Sequence, residues 1–89
     1  SPTVLGAQIA NELLDINGIE ASFVLTEYNN KIYVSARSLD TINVQLIMER
    51  MGGGGHMNMA GVQIEGKSLE EVKQMVIETV KEMKADKSI

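Results

Sequence analysis

The first part of the chain carries apolar residues at the spacing of an α-helix. They recur three or four positions apart, so one side of a helix would be apolar and the others polar. Thr3 stands before this pattern as an N-cap, and Asn17-Gly18 follows it as a stop signal. The pattern predicts a first helix whose buried stripe consists of Leu5, Ile9, Leu13 and Ile16.

The next segment changes to the two-residue period of a β-strand. Residues Ile19 to Tyr28 are rich in β-branched and aromatic side chains, and Asn29-Asn30 can turn the chain because Asn tolerates positive φ. A returning strand is predicted from Lys31 to Ser38. The predicted buried faces of this hairpin are Ile19, Ala21, Phe23 and Leu25 in the first strand and Ile32, Val34 and Ala36 in the second.

A second helical stripe ends where a run of four glycines begins. The stripe consists of Val44, Ile47, Met48 and Met51. The glycines at 52–55 are predicted to form a loop after this helix, followed by one helical turn at 57–60 and a short strand at 60–65. Ser68 and Glu71 then match a capping box. They predict a long last helix with the core stripe Leu69, Val72, Val76, Val80 and Met83.

These elements follow the order α-β-β-α-β-α. The predicted fold class is α/β: a small mixed sheet, made of an antiparallel hairpin and a crossover strand, packed with three helices. A chain of 89 residues is expected to form one domain, 1–89. It begins Ser1-Pro2 without Met, so we expect it to be excised from a longer polypeptide.

Composition excludes several classes of function. The chain has no Cys, which rules out disulfides and thiolate metal sites and suits a reducing, cytoplasmic environment. Its formal charge of −4 argues against binding along a long nucleic-acid duplex, because such binding neutralises many phosphates with Lys and Arg. A local site for a smaller anion remains open.

The glycine run and the single His56 are the first candidate site. Each ordered glycine costs roughly 0.5–1 kcal/mol relative to Ala, and a helix stop needs only one of the four. The others favour exposed N–H groups that approach an anion, although a flexible loop is the alternative. His56 follows directly and can donate a hydrogen bond.

Other sites known for nucleotides and metals do not match this segment. No Gly-Lys-Ser/Thr ending is present, and the glycines follow a helix rather than a strand, so neither a P-loop nor a dinucleotide fingerprint fits. One His without Cys or clustered carboxylates does not make a metal site, and no nucleophile elbow is present.

Arg37 is the second candidate residue. It shares one predicted face of its strand with Tyr33 and Ser35, and a guanidinium can grip a phosphate with two parallel hydrogen bonds. A solvated Arg at a strand end is the simpler alternative. Met57 and Met59, beside the glycines, could line a base pocket.

Three segments taken together resemble a known family. They are VSARS at 34–38, INVQLIMERMGGGGH at 42–56 and AG at 60–61. The set resembles the DHH-associated C-terminal domain, subfamily 1, of the DHH (Asp-His-His) phosphoesterase superfamily. The Ser-Ala-Arg-Ser and Asn-Val-Gln segments are most similar to those of the cyclic di-AMP phosphodiesterases of the GdpP type. The resemblance implies a preceding DHH domain that holds two manganese ions and hydrolyses the substrate. The present domain would close over the active-site cleft of the DHH domain and bind a cyclic dinucleotide or a short oligonucleotide.

The resemblance also assigns binding residues, and none of them is catalytic or a metal ligand. It implies phosphate contacts from the backbone and imidazole of Gly53, Gly54, Gly55 and His56, a phosphate or base contact from Arg37, and less defined roles for Ser35 and Asn43. The family often has Ala-Ala where this chain has Met59-Ala60-Gly61, which bears on the wall next to the base.

The leading hypothesis is therefore the substrate-binding domain of a manganese-dependent phosphodiesterase acting on cyclic di-AMP or its linear product. One alternative is the corresponding domain of a short-RNA exonuclease in the same superfamily. Another is a non-catalytic RNA-binding or oligomerisation module. The chain alone is expected to be inactive; the resemblance suggests an upstream sensor or membrane anchor in the full-length protein, and a homodimer is compatible with the sequence.

Overall fold

The computed structural model describes residues 1–89 and contains three helices and four strands in the order α-β-β-α-β-β-α. The helices are α1 (Pro2–Leu13), α2 (Val44–Arg50) and α3 (Leu69–Ala85). The strands are β1 (Ala21–Tyr28), β2 (Lys31–Ser38), β3 (Gly54–His56) and β4 (Met59–Glu65). The predicted α/β class with three helices is confirmed, and the structure adds the short strand β3.

The four strands form one sheet in the order β1-β2-β4-β3, and all neighbours are antiparallel. The sheet is therefore not mixed, as the predicted crossover implied. The connection from β2 to β4 makes a return trip: α2 has seven residues and travels about 10 Å away, and β3 with its flanking glycines travels about the same distance back. The chain thus enters β4 at the end where it left β2, since Arg37 pairs with Met59.

The hairpin of β1 and β2 turns at Asn29 and Asn30, as the sequence predicts. Both residues have positive φ, 52° and 60°, and Tyr28 pairs with Lys31 across them. Two consecutive residues with positive φ form the type of β-turn that best matches the right-handed twist of the strands. The strand β1 begins at Ala21, two residues later than predicted.

One face of the sheet packs on α2 and α3 and forms the core. The buried residues alternate along β2 and β4, and the predicted stripes of α2 and α3 supply most of the rest. Leu69 is an exception and lies 45% exposed. The core consists of Ile32, Val34, Ala36, Val44, Ile47, Met48, Ala60, Val62, Val72, Val76 and Met83.

Helix α1 contradicts its predicted stripe. The residues it buries are Gly6 and Ala10, whereas Leu5, Ile9 and Ile16 are 40–56% exposed. The physical reason is a close approach to the sheet: the Ser22 hydroxyl donates to the carbonyl oxygen of Ala10, and a Cβ on Gly6 would lie 2.5 Å from Thr26 Oγ1.

The ends of α1 also differ from the prediction. Ser1, not Thr3, is the N-cap, and its hydroxyl accepts from the N–H of Val4 while Pro2 starts the helix. The helix ends at Leu13, before the predicted stop. None of the three helices has the length and apolar composition required to cross a membrane.

Candidate functional site

The second face of the sheet is only half covered. Helix α1 packs mainly on β1 and β2. Because paired residues in an antiparallel sheet point to the same side, this face carries the row Arg37, Met59 and His56 and, next to it, the row Ser35, Gly61 and Gly54. We call the uncovered part over β4 and β3 the open half-face.

The first glycine of the run ends helix α2. Gly52 has a φ of 93°, and its N–H donates to the carbonyl oxygen of Glu49. The N–H of Gly53 donates to the carbonyl oxygen of Met48 at 2.8 Å. This pair of bonds is the Schellman motif, which confirms the expected helix stop and shows that the N–H of Gly53 already has a partner within the fold.

Gly53 lies against β4, and Gly54 and Gly55 form part of β3 and not of a loop. A Cβ on Gly53 would lie 2.1 Å from the carbonyl oxygen of Gly61, and one on Gly55 would lie 2.5 Å from that of Met59. Both positions therefore exclude any side chain. Gly54 is different, because a Cβ there would meet nothing within 4 Å. The fold itself does not require glycine at position 54.

The predicted helical turn at 57–60 is wrong, because Met57 and Asn58 form the turn of a hairpin between β3 and β4. The Asn58 amide donates to the carbonyl oxygen of Ser38 at 3.1 Å, and the N–H of Ser38 donates to that of Asn58, also at 3.1 Å. The N–H of Val44 donates to the carbonyl oxygen of Met57. These bonds fix the hairpin, and with it His56, to the ends of β2 and α2.

His56 and Met59 are both exposed at the turn end of the open half-face. Met59 is 52% exposed and lies between His56 and Arg37 in the register. Strands are about 4.8 Å apart, which puts the Cα atoms of His56 and Arg37 about 10 Å apart. Two such side chains can converge on one anion above Met59.

Arg37 is half-buried and held by protein groups at two nitrogens. Nε donates to Oδ1 of Asn11 in α1 at 2.8 Å, and Nη1 donates to the carbonyl oxygen of Ala36 at 2.9 Å. Nη2 donates to no protein group, so the guanidinium keeps free donors for a ligand. The role of Asn11 was not predicted from the sequence, because 26 residues separate it from Arg37.

A cleft of about 400 Å³ lies between the start of α1 and the open half-face. It contains Ser35 and the glycines 52, 53 and 61, with Thr3 and Gln63 on its sides. The structure thus brings Ser35 close to the glycine run, and its contact with a ligand stays a prediction. Asn43 is the N-cap of α2, where its side-chain oxygen accepts from the N–H of Leu46; a ligand contact from it stays a prediction.

The open half-face holds no set of metal ligands. No group of three or more His, Cys, Asp or Glu side chains in the chain could hold a metal ion. The two carboxyls with a lowered pKa belong to helix ends: Glu71 accepts from the backbone N–H of Ser68 at the start of α3, and Asp86 is bonded to Ser88 and Arg50 beyond its end. The free donors of Arg37 and the exposed backbone are instead suited to an anion.

Comparison with known proteins gives relatives that contain a similar domain. The cyclic-di-AMP phosphodiesterase PdeA of Listeria monocytogenes is 43% identical over 79 residues, and the cyclic-di-AMP phosphodiesterase GdpP of Geobacillus thermodenitrificans is 44% identical over 78. These matches cover 88% and 86% of this chain. The bifunctional oligoribonuclease and PAP phosphatase NrnA of Thermus thermophilus is 33% identical over 67 residues, 75% of the chain.

The chain spans only a small part of these relatives: 12% of the length of PdeA and of GdpP and 21% of NrnA. The family model of the DHHA1 domain matches residues 4–82, from within α1 to within the last turn of α3. A match over nearly all of the elements described above is enough for the assignment, and the chain belongs to the DHHA1 domain family.

Proposed function

We propose that this domain binds the substrate of a DHH-family phosphodiesterase that hydrolyses cyclic di-AMP or its linear product. The similarity to PdeA and GdpP over most of the chain supports the choice of substrate. In this proposal a preceding DHH domain holds the manganese ions and carries out the hydrolysis. The residues of this chain do not fit a manganese site, so its part is to bind and orient.

The observation that carries the proposal is the glycine at position 54. Gly52, Gly53 and Gly55 have reasons within the fold, whereas Gly54 faces open space beside Gly61. A strand position without such a constraint favours a β-branched residue, because glycine loses more conformational freedom on folding. A ligand that lies directly on the backbone of β3 explains why no side chain is present there.

The proposed contacts follow from the two rows of the open half-face. Arg37 and His56 donate hydrogen bonds to a phosphate from either side of Met59, and Ser35 donates from the cleft. β3 is the edge strand, so the N–H groups of Gly54–His56 that do not bond to β4 point away from the sheet along this edge and can donate to anion oxygens. Gly53 does not donate to the ligand, because its N–H is already bonded to Met48. It contributes a surface without a side chain. Positioning of this kind lowers the barrier by holding the scissile phosphate in place.

Substitution of Gly54 tests the proposal. Gly54→Val fits the strand and the open space around it, so we expect unchanged or higher thermal stability together with a loss of cyclic di-AMP binding of at least about tenfold. Binding is measured by NMR titration of the 89-residue chain. Thr41→Val, on an exposed loop, serves as the matched control. If Gly54→Val binds cyclic di-AMP as well as the unchanged chain, the open half-face is not the binding surface.

A second candidate substrate is a short linear oligoribonucleotide, which the similarity to NrnA favours. The same open half-face would then bind one phosphate of a linear chain. Titration with cyclic di-AMP and with a diadenylate of equal charge separates the two candidates by their relative affinities. The acidic charge balance speaks against a general RNA-binding module, for which affinity would fall steeply with salt.

A further inference from the structure

The two arginines of the chain are held in different ways. Arg50 donates to a carboxylate oxygen of Asp86 at 3.0 Å and to the hydroxyl of Ser88. Arg37 donates instead to the neutral amide oxygen of Asn11 and to a backbone carbonyl. Arg50 therefore forms an ion pair with Asp86, whereas Arg37 has no anionic partner in the fold.

The two bonds to Arg37 fix the plane of its guanidinium. The group is planar, so fixing Nε and Nη1 also fixes the direction of Nη2, which has no protein partner. Without an acceptor for Nε, the side chain could rotate and the guanidinium would have no fixed direction. Asn11 supplies this acceptor from α1, the helix that borders the open half-face.

We infer that Asn11 is a positioning residue for Arg37: its neutral amide oxygen orients the guanidinium toward the open half-face without cancelling its charge. The inference deepens the proposed function and rests on it for the identity of the ligand. Because the fold already orders this arginine, the side chain loses less conformational entropy when the ligand binds. A carboxylate in place of Asn11 would orient the group equally well but would compete with the bound phosphate.

The orientation is tested without any ligand, through the Nε–H signals of the 89-residue chain in ¹H–¹⁵N NMR spectra. The chain has only two arginines, so Arg37→Lys assigns both signals and Arg50 is an internal reference. We expect Asn11→Ala to make the Arg37 Nε–H exchange with water as fast as a free side chain and Asn11→Asp to keep it protected. Gln8→Ala, another exposed amide on α1, should change neither signal. An Arg37 signal that stays protected in Asn11→Ala overturns the inference.

Titration with cyclic di-AMP then tests the consequence for binding. Asn11→Ala should weaken binding by roughly threefold to tenfold, less than the loss of a direct hydrogen bond to a charged group, because Asn11 acts only by orienting Arg37. Asn11→Asp should also weaken it in spite of the protected Nε–H, and Asn11→Ala should have no further effect when Arg37 is already Ala. A loss that persists without Arg37 contradicts the inference. If the unchanged chain does not bind cyclic di-AMP, the proposed function fails, whereas the Nε–H signal still decides the role of Asn11.

Discussion

At the residue scale, the glycines at 52–55 differ in what the fold demands of them. Gly52 needs a positive φ to end α2, and Gly53 and Gly55 need to have no Cβ because the backbone of β4 lies against them. Gly54 has neither constraint. A run that reads as one motif in the sequence therefore combines three structural positions with one that is open to a ligand.

Lys87 has a positive φ at the end of α3, as Gly52 has at the end of α2. Its φ is 62°, its N–H donates to the carbonyl oxygen of Lys84, and the N–H of Ser88 donates to that of Met83, as in the motif at Gly52. A lysine is strained in this region, so Lys87→Gly should raise the free energy of unfolding by about 0.5–1 kcal/mol. Urea denaturation followed by circular dichroism measures the change.

Lys84→Gly, inside the last turn of α3, is the control for that substitution. It should lower the free energy of unfolding by about 1 kcal/mol, because glycine is unfavourable within a helix. Lower stability in both variants would show that the positive φ of Lys87 costs the fold nothing.

At the element scale, the hairpin of β3 and β4 turns a potential loop into a defined edge of the sheet. Its turn is attached to the end of β2 through Asn58 and Ser38 and to the start of α2 through Met57. His56 precedes this turn directly. The hairpin thus holds the imidazole at the same end of the sheet as Arg37, and the two positions depend on each other through β4.

The capping box of α3 predicts a dependence of stability on pH. The Glu71 carboxylate accepts from the N–H of Ser68 at 2.9 Å, and this bond holds its pKa below the ordinary value. A lowered pKa in the folded state gives stability that is present above the unfolded pKa and is lost as pH falls through the folded one. We expect Glu71→Gln, which can still accept the bond, to reduce the loss of stability below about pH 5.

Thermal unfolding at a series of pH values between neutral and acid measures this effect. Glu70→Gln is the control, since Glu70 also lies in the first turn of α3 but does not accept from the cap. An acid dependence that is equal in Glu71→Gln and in the unchanged chain would mean that this carboxylate does not contribute.

At the scale of the whole molecule, the two faces of the sheet are covered unequally. Helices α2 and α3 cover the core face, and α1 covers only the β1–β2 half of the other one. The close contact through Gly6 and Ala10 places α1 near enough for Asn11 to reach Arg37. The position of one helix thus creates both the open half-face and its border.

This contact makes Gly6 sensitive to substitution. Gly6→Val brings methyl groups against Thr26, where a Cβ alone would already be 2.5 Å from Oγ1, so α1 must shift. We expect the free energy of unfolding to fall by about 1–3 kcal/mol, as measured by urea denaturation. Gln8→Val introduces the same side chain at an exposed position of α1, where it costs only about 0.5 kcal/mol in helix propensity, and should change little. Equal effects of the two substitutions would argue against a close packing of α1.

Patterns within one segment predicted most elements correctly. The hairpin of β1 and β2, the stripe of α2 and the capping box of α3 are confirmed, since each depends on neighbours in sequence. The failures concern contacts between distant segments. Leu5 and Ile9 have helical spacing, but the face of α1 that packs is chosen by the sheet beneath it, which admits only small residues. β3 was missed because three residues of strand exist only through pairing with β4.

The candidate site divides in the same way. The residue types alone identify which positions could bind an anion, because the glycine run, His56 and Arg37 have this chemistry in any fold, and the motifs indicate the family. The three-dimensional contacts are needed to show that Gly54 is the glycine without a structural reason and that Asn11 accepts a hydrogen bond from Arg37. Side-chain chemistry is present in the sequence, whereas steric exclusion and long-range hydrogen bonds depend on which segments meet.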